Sequence, residues 1–428
     1  MKMEYGRVST VKKTLFYGLA ALLLGLFASC ADPLTPVVVD EKQKPQPEAP
    51  KTVSFQATLE QISDETKTAL GSDLSVVWSQ GDAIRVYSKL CPNGEVFTLA
   101  DADAGQKSGT FTGPEIGVGP YYAVFPNTAV PGILNTYTSI TSNSTNHSFV
   151  AEVLPSSTYV ADSFGKDSNI SWAYSETLGN MTFHNVFGAV KFSLTGTAKI
   201  KLINLYTRGS ELLSGTLRVS NLNGSATSSM EGKQEEMTQF KQMMMGEGVQ
   251  LNKSTPTDFY ISVPAGALAD GFFVEIIDAD GKAMIKSAAG SSRNVINRSK
   301  IRGMPVFEYS PQYSESFLVD NNDFAAYSEA GRQCVYTEGD SQYSFFNTED
   351  KRTVRFQDWS DGYSLSLEIS PKNLTLNSTP TVTVNAQGAT GTIVSKTGAS
   401  MKVIKQTVER AWLYDSEAKQ GYVILLED

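Results

Sequence analysis

Hydrophobic and polar positions alternate with a period of two along most of this chain. In TVSFQATL (52–59), Val53, Phe55, Ala57 and Leu59 are separated by polar residues, which predicts a strand with one buried face. Leu74, Val76 and Trp78 alternate up to Ser79-Gln80-Gly81-Asp82, and Ile84 and Val86 continue beyond it. That predicts a hairpin, because Gly81 tolerates the positive φ of a tight turn. EVFTLA (95–100) and PYYAVFP (120–126) predict further strands, whereas residues 127–180, rich in Ser, Thr and Asn, predict long loops. A second run of strands begins near Met181, with Val190, Phe192 and Leu194, then KIKLINLYT (199–207), GTLRVSN (215–221) and DFYISVP (258–264). FFVEIID-ADG-KAMIKS predicts a hairpin turning at Ala279-Asp280-Gly281, and the region closes near MPVFEY (304–309). Only residues 231–245 show helical spacing, through Met237, Phe240 and Met244, which predicts a short helix or loop packed on the body. After Ser310-Pro311 a third region follows, with Tyr363, Leu365, Leu367 and Ile369 alternating strictly, then PTVTVN (380–385), GTIVSK (391–396), AWLYD (411–415) and GYVILLE (421–427). The reading is all-β, with strands at turn-punctuated spacing.

The N-terminus breaks this pattern. Lys2, Arg7, Lys12 and Lys13 precede an apolar run from Leu15 to Phe27, short for a membrane span of about 20 residues. This is a secretory signal, residues 1–29. The run Leu26-Phe27-Ala28-Ser29-Cys30 resembles a bacterial lipoprotein lipobox. The resemblance implies that the Cys30 thiol receives diacylglycerol, that the signal is cut before it, and that the mature chain hangs from a membrane. Residues 30–51, rich in Pro, Lys and Glu without a period, read as a flexible tether.

Charge and composition then exclude several functions. The chain carries 36 Lys+Arg against 45 Asp+Glu, and removal of residues 1–29 leaves 32 against 44, a net charge of −12. A nucleic-acid partner would call for a basic stripe, which this sequence lacks. Beyond Cys30 only Cys91 and Cys334 remain, far apart and read as two separate thiols rather than a disulfide framework. Two histidines, His147 and His184, leave little room for triads or His-rich metal sites. Asp278-Ala279-Asp280-Gly281 and Asp101-Ala102-Asp103-Ala104-Gly105 lack the longer carboxylate pattern of a calcium loop and read as a hairpin turn and a polar loop. No catalytic residue, metal or cofactor is expected. Trp172, placed in a loop, and Trp359, in the turn-like Asp358-Trp359-Ser360-Asp361-Gly362, are the candidate ligand-contacting aromatics.

Three segments in order carry a family resemblance. Glu65-Thr66-Lys67-Thr68-Ala69-Leu70 with Val77-Trp78-Ser79-Gln80-Gly81-Asp82-Ala83-Ile84-Arg85-Val86-Tyr87, then Phe183-His184-Asn185-Val186-Phe187-Gly188-Ala189-Val190-Lys191-Phe192, then Phe259-Tyr260-Ile261-Ser262-Val263-Pro264-Ala265-Gly266, resemble fimbrillin-like lipoproteins of Bacteroides-type bacteria. The resemblance implies two transthyretin-like β-sandwich domains, 52–180 and 181–309, and the strand pattern adds 310–428 as a further C-terminal β domain. It implies a place at the bacterial outer membrane or cell surface, lipid-anchored, or in a fimbrium. Stalk subunits of that family lose their first strand to proteolysis, and a neighbouring subunit's strand fills the vacated groove by β-strand addition. Here Lys67 is the candidate cleavage position, since no arginine lies in that loop before Arg85. The region after Ser310 departs from a stalk subunit, so the expectation is an accessory or tip subunit, or an adhesin that does not polymerise. Its partners would be the membrane, other pilin subunits, or surface glycans or proteins of host or bacteria. The alternative is a glycan-binding lipoprotein serving polysaccharide uptake.

Overall fold

The computed structural model describes residues 51–64, 75–128, 135–138, 145–165, 168–223, 226–232, 238–319, 324–327, 341–358, 362–388 and 391–426. The N-terminal part supplies β1 (Thr52–Leu59), β2 (Ser63–Asp64), β3 (Ala83–Tyr87), β4 (Glu95–Leu99), β5 (Ser108–Pro114), β6 (Tyr121–Phe125), β7 (Asn135–Thr138), β8 (Thr145–Val153), β9 (Ser156–Thr158), β10 (Ser171–Ser175) and β11 (Asn180–Asn185). Seven of these form a closed ladder in the order β1-β11-β10-β6-β3-β4-β5. Its interior holds Phe55, Ala57, Leu59, Phe97, Phe111 and Phe183 packed round Trp78. The all-β expectation holds, while in place of an open two-layer sandwich the strands close into a barrel with its seam shut by β1.

Two local expectations for this part are corrected. The segment before Gly81 is not the first arm of a hairpin, because β3 pairs with β4 and β6 instead. Trp78 is extended but outside any ladder, and it plugs the barrel: its indole Nε1 donates to Ala57 O at 3.0 Å, inside a cage of aromatic edges from Phe111, Phe125 and Phe183. Gly81 does turn, at φ +81°, under the Asp82 N–H to Ser79 O bond. The loop-like stretch 127–180 contains β7 to β10. Its polar content hid a period of two, since Phe149, Ala151 and Val153 of β8 are all buried.

The middle part contributes β12 (Phe187–Thr195), β13 (Lys199–Thr207), β14 (Gly215–Ser220), β15 (Thr227–Glu231), β16 (Phe240–Gln250), β17 (Thr257–Pro264), β18 (Gly271–Asp278), β19 (Lys282–Ala289), β20 (Lys300–Gly303), β21 (Phe307–Glu308) and β22 (Tyr313–Ser314). One sheet runs β17-β12-β20-β2, with β21 also on β12, and the other runs β22-β19-β18-β13-β16-β9. Phe192, Phe259 and Ile261 of the first face Ile203, Val274 and Ile276 of the second across one core. Both sheets therefore borrow a strand, β2 or β9, from the preceding part. A further sheet, β15-β14-β8-β7, joins two strands from each part and lies over the outer face of β6 and β10. Residues 240–250 are a strand, not a helix. Lys241, Met243 and Met245 are buried while Gln242 and Met244 face outward, so a period of two governs the methionines once β13 is beside them.

The C-terminal part holds α1 (Glu315–Leu318), β23 (Phe324–Tyr327), β24 (Ser341–Asn347), β25 (Arg352–Asp358), β26 (Tyr363–Ser370), β27 (Thr381–Gly388), β28 (Gly391–Ser400), β29 (Lys402–Gln406), β30 (Arg410–Asp415) and β31 (Gln420–Leu425). Sheets β23-β31-β30-β29 and β24-β25-β26-β27-β28 enclose a core of Val354, Leu365, Leu367, Val382, Leu413 and Ile424. The outer face of the first sheet packs Trp412 and Val423 on Ile277 and Ala283 of the middle part.

Candidate functional site

The seam strand β1 is the feature that a strand-exchange function would use. It pairs antiparallel with β5 from Thr52↔Pro114 to Thr58↔Ser108, and parallel with β11 from Gln56↔Asn180 to Leu59↔Phe183. Its inward side chains, Phe55, Ala57 and Leu59, are buried, and the Phe55 ring lies 5.4 Å from that of Phe97. Its outward side chains form a hydroxyl and amide ladder with β5, Ser54–Thr112 at 2.7 Å, Gln56–Thr110 at 2.8 Å and Thr58–Ser108 at 2.8 Å. Removing β1 would uncover an apolar groove with a backbone edge on each side, the geometry that β-strand addition fills.

The end of β1 is fastened to the middle part. Glu60 N donates to Phe183 O at 2.8 Å, and the Asn185 N–H donates to Glu60 Oε2 at 2.9 Å. The Arg298 guanidinium also donates to Glu60 Oε2 and reaches Asn185 O at 3.2 Å. Asn185 is wholly buried, and its amide donates to Glu60 O and Ser299 Oγ, both at 3.2 Å. Burial works against the Glu60 charge, but bonds from His184, Arg298 and the Asn185 N–H outweigh it and hold the carboxyl at about 2. Three residues further on, β2 pairs with β20, and Lys300 Nζ donates to Ser63 Oγ at 2.6 Å. A nick in residues 65–74 would therefore leave β1 held by its ladder, by this clasp and by β2.

Of the residues singled out from the sequence, Cys30, Lys67, Trp359 and Cys334 lie outside the described residues. Trp172 does not sit in a loop. It lies on β10, is only 8 % exposed, and has its ring 5.1 Å from that of His184. The sheet containing β8 and β14 covers it, so it is a core residue and no sugar platform. Cys91 is a free thiol. The Asp278 carboxylate accepts from the N–H groups of Asp280 and Lys282 at 3.0 and 2.9 Å, which makes 278–281 a turn brace. His147 Nδ1 pairs with the Tyr122 hydroxyl at 2.7 Å, and burial pushes its pKa down. Among the described residues, no three His, Cys, Asp or Glu side chains converge as a metal set, and no helix is long and apolar enough to cross a membrane.

The sequence reading missed Glu60, Asn185 and Arg298. Asn185 stood in the motif Phe183-His184-Asn185 but had no assigned partner, and Arg298 carried no local signal. Their meeting depends on the chain returning to β11 and β20.

No family model matches the chain, and no curated protein matches it. Among solved structures it is similar to a candidate cell adhesion protein from Bacteroides ovatus, with 10 % identity over 61 % of this chain and 93 % of that one and a TM-score of 0.37. A second, from Bacteroides uniformis, has 11 % identity over 61 % of this chain and 94 % of that one, at a TM-score of 0.35. A fimbrial assembly protein from Parabacteroides distasonis has 11 % identity over 57 % of this chain and 88 % of that one, at a TM-score of 0.25.

Proposed function

We infer that this chain is a lipid-anchored cell-surface subunit, fimbrial or adhesive, that keeps its first strand. The observation that carries the reading is the position of β1, which shuts the barrel seam and is the first strand among the described residues, so that it would follow directly on a Cys30 anchor. The anchor and the seam are thus one continuous segment. Fixing the Glu60 clasp and β2 to the middle part favours retention of that segment, and hence an accessory or tip subunit rather than a stalk unit.

Two measurements test this. Cells given an alkyne fatty acid should label the wild-type chain and not Cys30→Ala, and the variant should leave the membrane fraction. An unlabelled wild type would end the anchor reading. Purified protein nicked by trypsin within 65–74 should remain monomeric on size exclusion with the β1 peptide still bound. Release of that peptide with growth of fibres would instead make it a stalk unit. The glycan-uptake alternative loses Trp172, which is buried.

A further inference from the structure

A cavity of about 360 Å³ opens where four sheets meet. Pro126 and Ile170 come from the barrel side, Glu152 and Val153 from β8, Phe187 from β12 and Lys241 from β16. Strand β9 adds Ser156, Ser157 and Thr158, and Thr128 and Ser168 add two more hydroxyl side chains. Lys241 is only 6 % exposed. Its Nζ donates to Leu154 O at 2.7 Å, and among the described residues no carboxylate lies within ion-pair distance of it.

A lysine in this position is costly. An ammonium taken from water keeps its charge only with an anion or several acceptors near it, and one backbone carbonyl is a partial substitute. Burial accordingly pushes the Lys241 pKa down to about 8. Among the described residues, the cavity wall carries this cation with no carboxylate paired to it. Around it stand hydroxyl groups, which donate and accept in turn, and the apolar surfaces of Ile170 and Phe187. This combination suits a ligand with one carboxylate, several hydroxyls and a C–H face. A neutral sugar would leave the ammonium unmatched, and a simple fatty acid would leave the hydroxyls unmatched. Glu152 at the same wall disfavours a multiply charged phosphate.

We propose that this cavity binds a carboxylate-bearing sugar, a uronic or sialic acid residue at the end of a surface glycan, with Lys241 taking the carboxylate. The site is separate from the β1 seam and stands whether or not Cys30 carries lipid.

The test is isothermal titration of the whole mature chain at pH 7 with sodium glucuronate, sodium N-acetylneuraminate, glucose and sodium hexanoate. At least one sugar acid should bind ten times or more tightly than both glucose and hexanoate. Lys241→Met should lose that preference while melting no lower than wild type, which separates a lost site from a lost fold. Glu152→Gln, which keeps the cation and removes the nearby carboxylate, should tighten sugar-acid binding about threefold or more. Equal affinity for glucose and the sugar acids overturns the proposal, as does hexanoate binding as tightly as they do, or no binding of either acid at millimolar concentration.

Discussion

Lys405 Nζ lies 2.7 Å from Glu275 Oε1, and the two side chains are 1 % and 0 % exposed. Lys405 belongs to β29 of the C-terminal part and Glu275 to β18 of the middle part, so the pair is an internal bolt between them. Both ends are well served. Asn204 Nδ2 donates to Glu275 Oε2 at 2.9 Å and is itself steadied by Gln242 at 3.1 Å. The ammonium also donates to Leu318 O at 2.7 Å and sits 4.0 Å over the Trp412 ring and 4.6 Å from that of Tyr206. A buried pair need not add net stability, but breaking one partner strands the other charge in an apolar setting.

Lys405→Met should therefore cost about 3–5 kcal/mol in urea denaturation. The double variant Lys405→Met/Glu275→Gln should recover a large part of that loss, because no charge is then left buried. If the single and double variants were equally destabilised, the cost would lie in packing around Trp412 and not in the charge.

Glu60 links β1 to acid stability. Its folded value of about 2 lies below the ordinary carboxyl range, so the unfolded chain takes up the proton first as pH falls. The stabilisation is complete above the unfolded value near 4.5 and is lost as pH drops towards 2. The carboxyl is partly solvated, and screening reduces its worth to about 1 kcal/mol. Glu60→Gln should lose that amount at pH 7 and show a flatter fall in urea midpoint below pH 4.5 than wild type.

Lys241 opposes folding at pH 7, because its ammonium is buried there. The unfolded side chain holds its proton to 10.5, whereas the folded one releases it near 8. Between those values the unfolded state binds more protons, so stability should rise with pH. Glu152 is the other ionisable side chain in that cavity wall, and it is exposed and carries no shared bond with Lys241. Lys241→Met should remove the alkaline rise and raise stability at pH 7 by about 1–3 kcal/mol. Melting curves from pH 7 to pH 10 would show both effects.

Phe55→Ala should cost about 3–5 kcal/mol, since it empties a space walled by Phe97 and Phe111. Ser54→Ala, one residue away on the outward face, should stay within about 1 kcal/mol. Amide exchange should speed up along β5 and β11 in the first variant and not in the second. Uniform loss of protection in both would mean that β1 is not an independent closing element.

Much of the fold was legible because a half-buried strand writes itself as alternation. TVSFQATL and KIKLINLYT match β1 and β13 residue for residue. The hidden parts have physical reasons. At 231–245 a cluster of methionines gave a spacing compatible with either period, and only the neighbouring β13 settled it. Trp78 lay on an alternating run, but its bonds go to Gln106 and Ala57 and not to the strand expected to pair with it. Asn180–Asn185 continues the barrel past the boundary placed at 180, because pairing with β1 cannot be seen from composition. The polar surroundings of Trp172 read as a loop, and the sheet that covers it is built from segments on either side of it in sequence. Nothing local in the sequence marks Glu60, Lys241 or Lys405, since burial of a charge depends on what arrives over it.

The borrowed strands also set an order of events during synthesis. β1 is made first, yet its second neighbour, β11, is made only after the rest of the barrel, and the sheet over β6 and β10 waits longer still for β14 and β15. Such distant pairings close slowly. Until they form, β1 has one partner available instead of two, and a growing copy is for that interval an open acceptor whose own leading strand competes with any other strand nearby. Sequential assembly makes self-completion a race that the nascent chain must win, and the clasp at Glu60 and Arg298 is the latch that closes once it has.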